Sequence, residues 1–468
     1  MNQVRRVPRT LVLALLALPL LAGCATHDHN PAGPGGQATV NPDPPNANAR
    51  IQAENTFGDP ARWSAIYEMT TPSGLGSAFH GWYNDQPVAG RLSASGTLQW
   101  SARLPYMLME IVSLSNSAPV PNGALVVGKD DTNGDGLSEV GYAWLISSSG
   151  TIKFVETFNS DTSDVWINGV AAVSDSEFVV VGGERTPARS NPYIARLVVT
   201  ANGTLERRSQ IVMSAVSNRL LSEVAVDPAG PSGGSLALYV ASDVDVGVDQ
   251  AISLQKVTVD YPSLASATVT WSRDVQGAGP SSWPNDLEIV GDKLLVCGGT
   301  QDGTKSPPGN GGYWDSGIAA ALTFAGDVVW SKVLRASDHS DELFTIVPTP
   351  NAWYFVGDAA RFIVGDTHEV FGYGLIEKLG LATGDELAQL TVGNATYASG
   401  FGTAYAQGGQ LECGGWTQNE FDGGGNRAWF TGIDVSGTPA PTVAAVQRGA
   451  TAVRADRAAP PRDRLPRR

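Results

Sequence analysis

Asp131, Asn133, Asp135, Gly136 and Glu139 spell D-x-N-x-D-G-x-x-E, crowding three carboxylates and an amide into nine residues. Oxygen donors at alternating positions curl around one hard cation, and a glycine between them permits the sharp turn. Asp131, Asn133, Asp135 and Glu139, with the carbonyl of Leu137, are the expected ligands of a structural Ca²⁺. A polar turn without metal is the alternative. A second set of carboxylates, Asp164, Glu223, Asp286 and Asp341, precedes successive apolar runs. Brought together they form a ring for a cation or a basic ligand. Alternatively, each caps backbone amides of its own connection. His339, between Asp338 and Asp341, is the best-placed acid–base group among five histidines, with a surface histidine among carboxylates as the alternative. There is no G-x-S-x-G, H-E-x-x-H, P-loop or C-x-x-C, so no catalytic residue is assigned.

What must position these groups is a repeat of about 55 residues. One marker ends an apolar run, at Gly81, Gly128, Gly182, Ser242, Gly298, Gly357 and Gly414. A second is a turn before the last run, at Gly96, Gly150, Gly203, Gly326, Gly384 and Gly437, replaced in the fourth unit by YPSLASATVTW. Seven units result. The third is the clearest: VWINGVAAV, EFVVVGG, YIARLVVT and TLERRSQIV are four β runs, with ERTPARSNP as the loop between the second and third. Four antiparallel strands repeated seven times predict an all-β, seven-bladed β-propeller of four-stranded antiparallel blades. The long loops between second and third strands are the expected carriers of binding. Trp100, Trp271 and Trp330 recur at matching positions and are expected in the core. Cys297 and Cys413 stand at equivalent positions two units apart, too far for a disulfide, and are expected as buried free thiols.

The units resemble bacterial propeller repeats with a G-[TD]-h-x-W turn, the class that includes quinone-type and related lipoprotein propellers, over most of residues 60 to 445. An eight-bladed outer-membrane assembly lipoprotein is similar in outline, but the units here are longer and number seven, so its role does not transfer. The loop at 131–139 resembles the first nine residues of an EF-hand loop, with Tyr142 at the twelfth position. It is closer to the calcium loops of integrin-type propeller repeats, with Glu139 where those have Asp.

Ahead of the repeats, Arg5, Arg6 and Arg9 precede the apolar run Leu11–Gly23, the pattern of a secretory signal peptide and too short to span a bilayer. It ends Leu21-Ala22-Gly23-Cys24, which resembles the lipobox of bacterial lipoproteins. That resemblance implies cleavage before Cys24 and lipid on its thiol. With Ala25 following, it favours the outer membrane. The expected organisation is 1–23 signal peptide, 24–54 lipidated Cys24 and flexible linker, 55–447 propeller, and 448–468 basic tail without structure. Of the net charge of −15, the leader carries +3 and the tail +5, leaving −23 on the rest, which argues against nucleic acid. The sequence thus predicts an envelope protein, lipid-anchored, acting as a non-enzymatic binding or scaffolding module for a protein or glycan ligand. The alternative is an envelope enzyme acting on glycans or other extracellular substrates. Cys24→Ser is expected to abolish labelling by a palmitate analogue; undiminished labelling would place the anchor elsewhere.

Overall fold

The computed structural model describes residues 51–435 except 58–64, 71–77, 83–86, 93–96, 105–110, 121–122, 132–138, 159–163, 187–188, 214–219, 247–248, 278, 302–314, 338–339, 351, 365–367, 394–398, 408–409 and 419–425. The chain is all-β there: 28 strands, no helix, and a β-propeller-like repeat of four-stranded antiparallel sheets. In chain order the sets are β2–β5 (65–103), β6–β9 (111–158), β10–β13 (164–212), β14–β17 (220–275), β18–β21 (282–334) and β22–β25 (340–392). The last set is β26–β28 (399–434), completed by β1 (Ile51–Phe57). A single parallel pair, Val165 to Val140, links the second set to the third.

Strand runs such as Phe178-Val179-Val180-Val181 are apolar at every position because both faces of each sheet are covered. Phe178 and Val180 pack toward Leu125 and Leu145 of the second set, while Val179 and Val181 pack toward Leu221 and Leu238 of the fourth. The other clusters likewise join consecutive sets. The first strand of each set touches the first strand of the next, and β26 (Ser399–Gln407) touches β2 (Ala65–Thr70), so the series closes on itself.

Each of these seven first strands carries a β-bulge at one register position: Tyr67, Ser115, Asn168, Ser222, Asn285, Phe344 and Gly402 are the extra residues. The bulge presses a first-strand carbonyl against the second strand. A Cβ on Gly182, Gly298, Gly357 or Gly415 would stand 1.8–1.9 Å from that oxygen, so only glycine fits those four. This accounts for the first marker of the repeat, with one change: in the last set the position belongs to Gly415, not Gly414. Ser242 holds it in the fourth set.

The second marker is explained between sets. Trp100, Trp271 and Trp330 lie over Gly150, Gly326 and Gly384 of the following set, whose turns have φ of +82°, +87° and +65°. The turn therefore needs glycine twice, for its left-handed backbone and for room beneath the indole. Trp100 and Trp271 donate Nε1–H to the carbonyls of Ser148 and Phe324, each two residues before the glycine, at 2.8 and 3.1 Å.

Three sequence expectations shift. Strand β1 begins at Ile51, inside the stretch 24–54 expected as linker. The loop expected at 184–192 is mostly strand, since Glu184, Arg185 and Thr186 pair with Asn191, Ser190 and Arg189; backbone pairing satisfies a polar hairpin as well as an apolar one. The corresponding loop of the sixth set is also paired, out to Val364 and His368. Trp271→Ala is expected to lower stability by about 3 kcal/mol. Gly326→Ala should cost less in the Trp271→Ala background than in the native protein, because its clash is then removed. Additive losses in denaturant titrations would contradict the stacking role.

Candidate functional site

The expected carboxylate ring does not form as a set of equivalent positions. Glu223 and Asp286 both follow the bulge of their first strands, and register adds Glu68 to them. Asp164 opens β10 (Asp164–Ser174), and Asp341 lies before the bulge of β22 (Ser340–Pro348). Asp341 is fully buried and caps its own connection: it accepts from the amides of Ala336 and Ser337 at 2.8 and 2.9 Å and from Ser337 Oγ at 2.6 Å. For this residue the capping alternative holds.

Sequence reasoning missed a different gathering, on the first strands of the fourth to sixth sets. Asn285, the bulge residue of β18 (Ser282–Val290), donates to the carbonyl of Leu343 at 2.7 Å and to Glu342 Oε1 at 2.9 Å. Trp283 Nε1 donates to the same carboxylate oxygen at 2.5 Å. Asp286 accepts from the Ile346 amide at 2.7 Å and from Thr345 Oγ1 at 3.1 Å. One register position thus carries both a donor clamp and an acceptor clamp onto the next set. The donor clamp recurs where Asn168 donates to Leu221 O at 2.9 Å. The signal was in the sequence as a repeated W-x-N, Trp166-Ile167-Asn168 and Trp283-Pro284-Asn285.

Charge accumulates here. Burial pushes the Cys297 thiol well up, and the charges of Asp286, Glu223, Glu342 and Glu288 push it the same way. Asp286 is raised to about 6 by burial, against the pull of its hydrogen bonds from Ile346 and Thr345. Glu288 retains solvent access at its surface, but the protein crowding it and the neighbouring Asp286 both raise its carboxyl. Such a carboxylate pair can share a proton or bind a cation. Cys297 and Cys413 are buried free thiols, as expected.

The calcium ligands are placed in part. Asp131 ends β7 (Gly123–Asp131), Glu139 begins β8 (Glu139–Ser147), and the two are direct cross-strand partners. Asn133, Asp135 and Leu137 lie outside the described residues, as do Cys24, Asp338 and His339. Among the described residues no group of three metal-ligating side chains gathers, and no helix is long and apolar enough to cross a membrane.

Glu377, in β24 (His368–Leu379), is fully buried. Its Oε1 accepts from Gln389 Nε2 at 2.7 Å, while Oε2 accepts no hydrogen bond among the described residues. Burial holds the carboxyl well above the usual carboxylate range, and the Glu386 charge adds to this. The folded protein therefore keeps this proton where the unfolded chain releases it. That contribution to stability is complete below the unfolded value near 4.5 and is lost as pH rises toward the folded value. Glu377→Gln should leave the melting temperature unchanged at pH 4 and raise it at pH 8; equal shifts at both would show that the proton is not retained.

No protein-family model matches the chain, and no curated protein matches it. Among solved structures it is similar to the polysaccharide lyase Uly1 (8% identity, 83% of this chain and 94% of that one, TM-score 0.47). It is also similar to Drosophila Plexin A in complex with Semaphorin 1b (9%, 83% and 87%, 0.42) and to Sqt1 from Chaetomium thermophilum (10%, 82% and 98%, 0.40). A lyase and proteins of other kinds thus stand side by side among its neighbours.

Proposed function

We propose that this chain is a lipid-anchored protein of the cell envelope, on the outer membrane, whose seven-bladed β-propeller is a non-enzymatic binding or scaffolding module. Seven blades are supported by the seven four-stranded sets, the cyclic succession of their first strands and the seat of β1 beside β28 (Asn426–Asp434). The single observation that carries the non-enzymatic reading is the use of the carboxylates. Asp286, Asp341 and Glu342 each accept hydrogen bonds that hold neighbouring strands or connections in place. A carboxylate engaged in this way is a structural acceptor. The enzyme alternative, acting on glycans or other extracellular substrates, draws on the raised Asp286–Glu288 pair. The two readings separate in one experiment: pull-down from envelope extract with the native protein, alongside assay of extracted glycans for cleavage. Recovery of a bound protein or glycan without cleavage supports the binding module; cleavage lost in Asp286→Asn overturns it.

A structural Ca²⁺ held by Asp131, Asn133, Asp135, Glu139 and the Leu137 carbonyl belongs to the same proposal. Support comes from the register that sets Asp131 opposite Glu139. The strands bring the two ends of the donor run together, so only 132–138 remains to close, at a small entropic cost. Calcium at a hundred times its Kd is then expected to add about 2.7 kcal/mol of stability. Asp135→Ala should remove most of that gain with the fold intact. Identical melting midpoints with calcium and with chelator would leave the loop an empty turn.

A further inference from the structure

The fourth strands are edges of their sheets, and an exposed edge is ordinarily kept polar or charged. In each of the first six sets the fourth strand carries one surplus residue near its start. Register identifies it as Gln99, Lys153, Arg208 and Thr270 in the first four sets and as Val329 and Leu387 in the fifth and sixth. The position is exposed in all six. It is polar four times and then turns apolar.

Among the described residues the exposed large apolar side chains are Val328, Val329, Leu381 and Leu387, 36–56% exposed. All four belong to the joint between the fifth and sixth sets. Val328 and Val329 open β21 (Val328–Leu334), just ahead of Trp330, whose ring lies over Gly384. Leu381 belongs to the turn that leads to Gly384, and Leu387 reaches back to 3.9 Å from where a Cβ on Gly380 would stand. Lys332 Nζ and Asp385 Oδ1, 3.5 Å apart, tie the same strand to the same turn. Single apolar side chains on a surface are ordinary, but four at one seam form a patch.

The seventh set places the chain terminus beside this patch. Its fourth strand is β1, where Ile51 opposite Ile433 corresponds to Val328 opposite Leu322 and to Glu386 opposite Leu379. Gln52 is the surplus residue there. The chain from Cys24 thus enters the fold at the register level of Val329 and Leu387, in the set that follows the sixth. The 26 residues between, 25–50, are rich in Gly, Pro and Asn, and a flexible chain of that length spans roughly 30 Å.

We propose that Val328, Val329, Leu381 and Leu387 insert into the lipid surface to which Cys24 is tethered, an inference that rests on the anchor proposed above. The seam between the fifth and sixth sets then lies against the membrane. Charge selects the kind of surface. Asp327, Asp385 and Glu386 are exposed beside the patch, and Lys332 is paired with Asp385. These carboxylates repel anionic headgroups, so the fitting surface is a neutral, zwitterionic one. Attachment there depends on apolar area and not on attraction between charges.

The test uses the full lipidated chain on vesicles of phosphatidylcholine and phosphatidylethanolamine that contain a doxyl-labelled lipid as quencher. Cys297 and Cys413 are buried and the Cys24 thiol is acylated, so one introduced cysteine takes the fluorophore. Leu387→Cys and Val329→Cys are read against Thr270→Cys and Arg208→Cys, at the same register position. Quenching is expected to be about threefold stronger at the first pair, as for side chains held at the acyl boundary, and unchanged by added salt. Val329→Thr with Leu387→Thr gives these sets the residue of the fourth. A fluorophore on Leu381→Cys should then escape quenching while the protein stays on the vesicles through its lipid. Equal quenching at the two pairs, on a protein that carries palmitate and floats with the vesicles, overturns the proposal and leaves the anchor standing. Absence of palmitate from Cys24 overturns both. A dimer that dissolves in the threonine double variant, with neither pair quenched, gives the patch to a second copy and also overturns the proposal.

Discussion

Every first strand of these seven sets carries, at one shared register position, a residue more than its partner can pair, and much of the remaining structure answers that surplus. A bulge increases local twist and re-aims the side chains that follow. Here it drives a carbonyl into the second strand so closely that only a hydrogen atom fits opposite, at Gly182, Gly298, Gly357 and Gly415. It also leaves a residue unpaired on its own sheet and free to reach the next. Asn168 and Asn285 use that freedom to donate across the seam, and Asp286, one step on, accepts across it. The crowding that excludes a side chain on one strand thus supplies the hydrogen bonds that align the next.

Cohesion then falls to contacts between sets. Residues of the third set alternate between its two neighbours, so each of these clusters is completed only when the adjoining set is in place. The tryptophan joints make the same dependence explicit, with the ring from one set and the glycine from the next. A buried indole brings both a large apolar area and one polar atom that needs a partner. Two of the three find it in a turn carbonyl, while Trp330 Nε1 is buried without a partner among the described residues. Its ring contacts with Trp353 and Phe355 indicate that packing dominates there.

Much of this was legible in the sequence because its causes are local. A left-handed turn needs glycine, a doubly covered strand is apolar throughout, and the repeat makes both visible. The matching positions of the tryptophans and the buried state of Cys297 and Cys413 followed from the same periodicity. The register of the carboxylates was not legible. Asp164, Glu223, Asp286 and Asp341 look equivalent when counted along the chain, but Glu223 and Asp286 follow the bulge residue by one position whereas Asp164 and Asp341 precede it by four and three, so these two drop out. The hairpin at 184–192 was misread because polarity was taken for loop, whereas strand pairing there is carried by the backbone. Glu377 leaves no trace in sequence, since its burial depends on strands brought beside it, with Phe355 and Gln389 as its cross-strand partners, and not on its own strand.

The end of the repeat shows how far local signals reach. Ser436-Gly437-Thr438 announces a fourth strand for the last set, yet that place beside β28 is taken by β1, from the other end of the chain. A signal for a turn specifies what the backbone can do at that point; it does not specify which segment finally occupies a free edge. Pairing Ile51 with Ile433 closes a loop through nearly the whole described chain, so it carries a large loop-closure entropy. Against it stands the pairing of β1 onto a sheet whose other three strands, β26, β27 (Gln410–Gln418) and β28, hold one another in register.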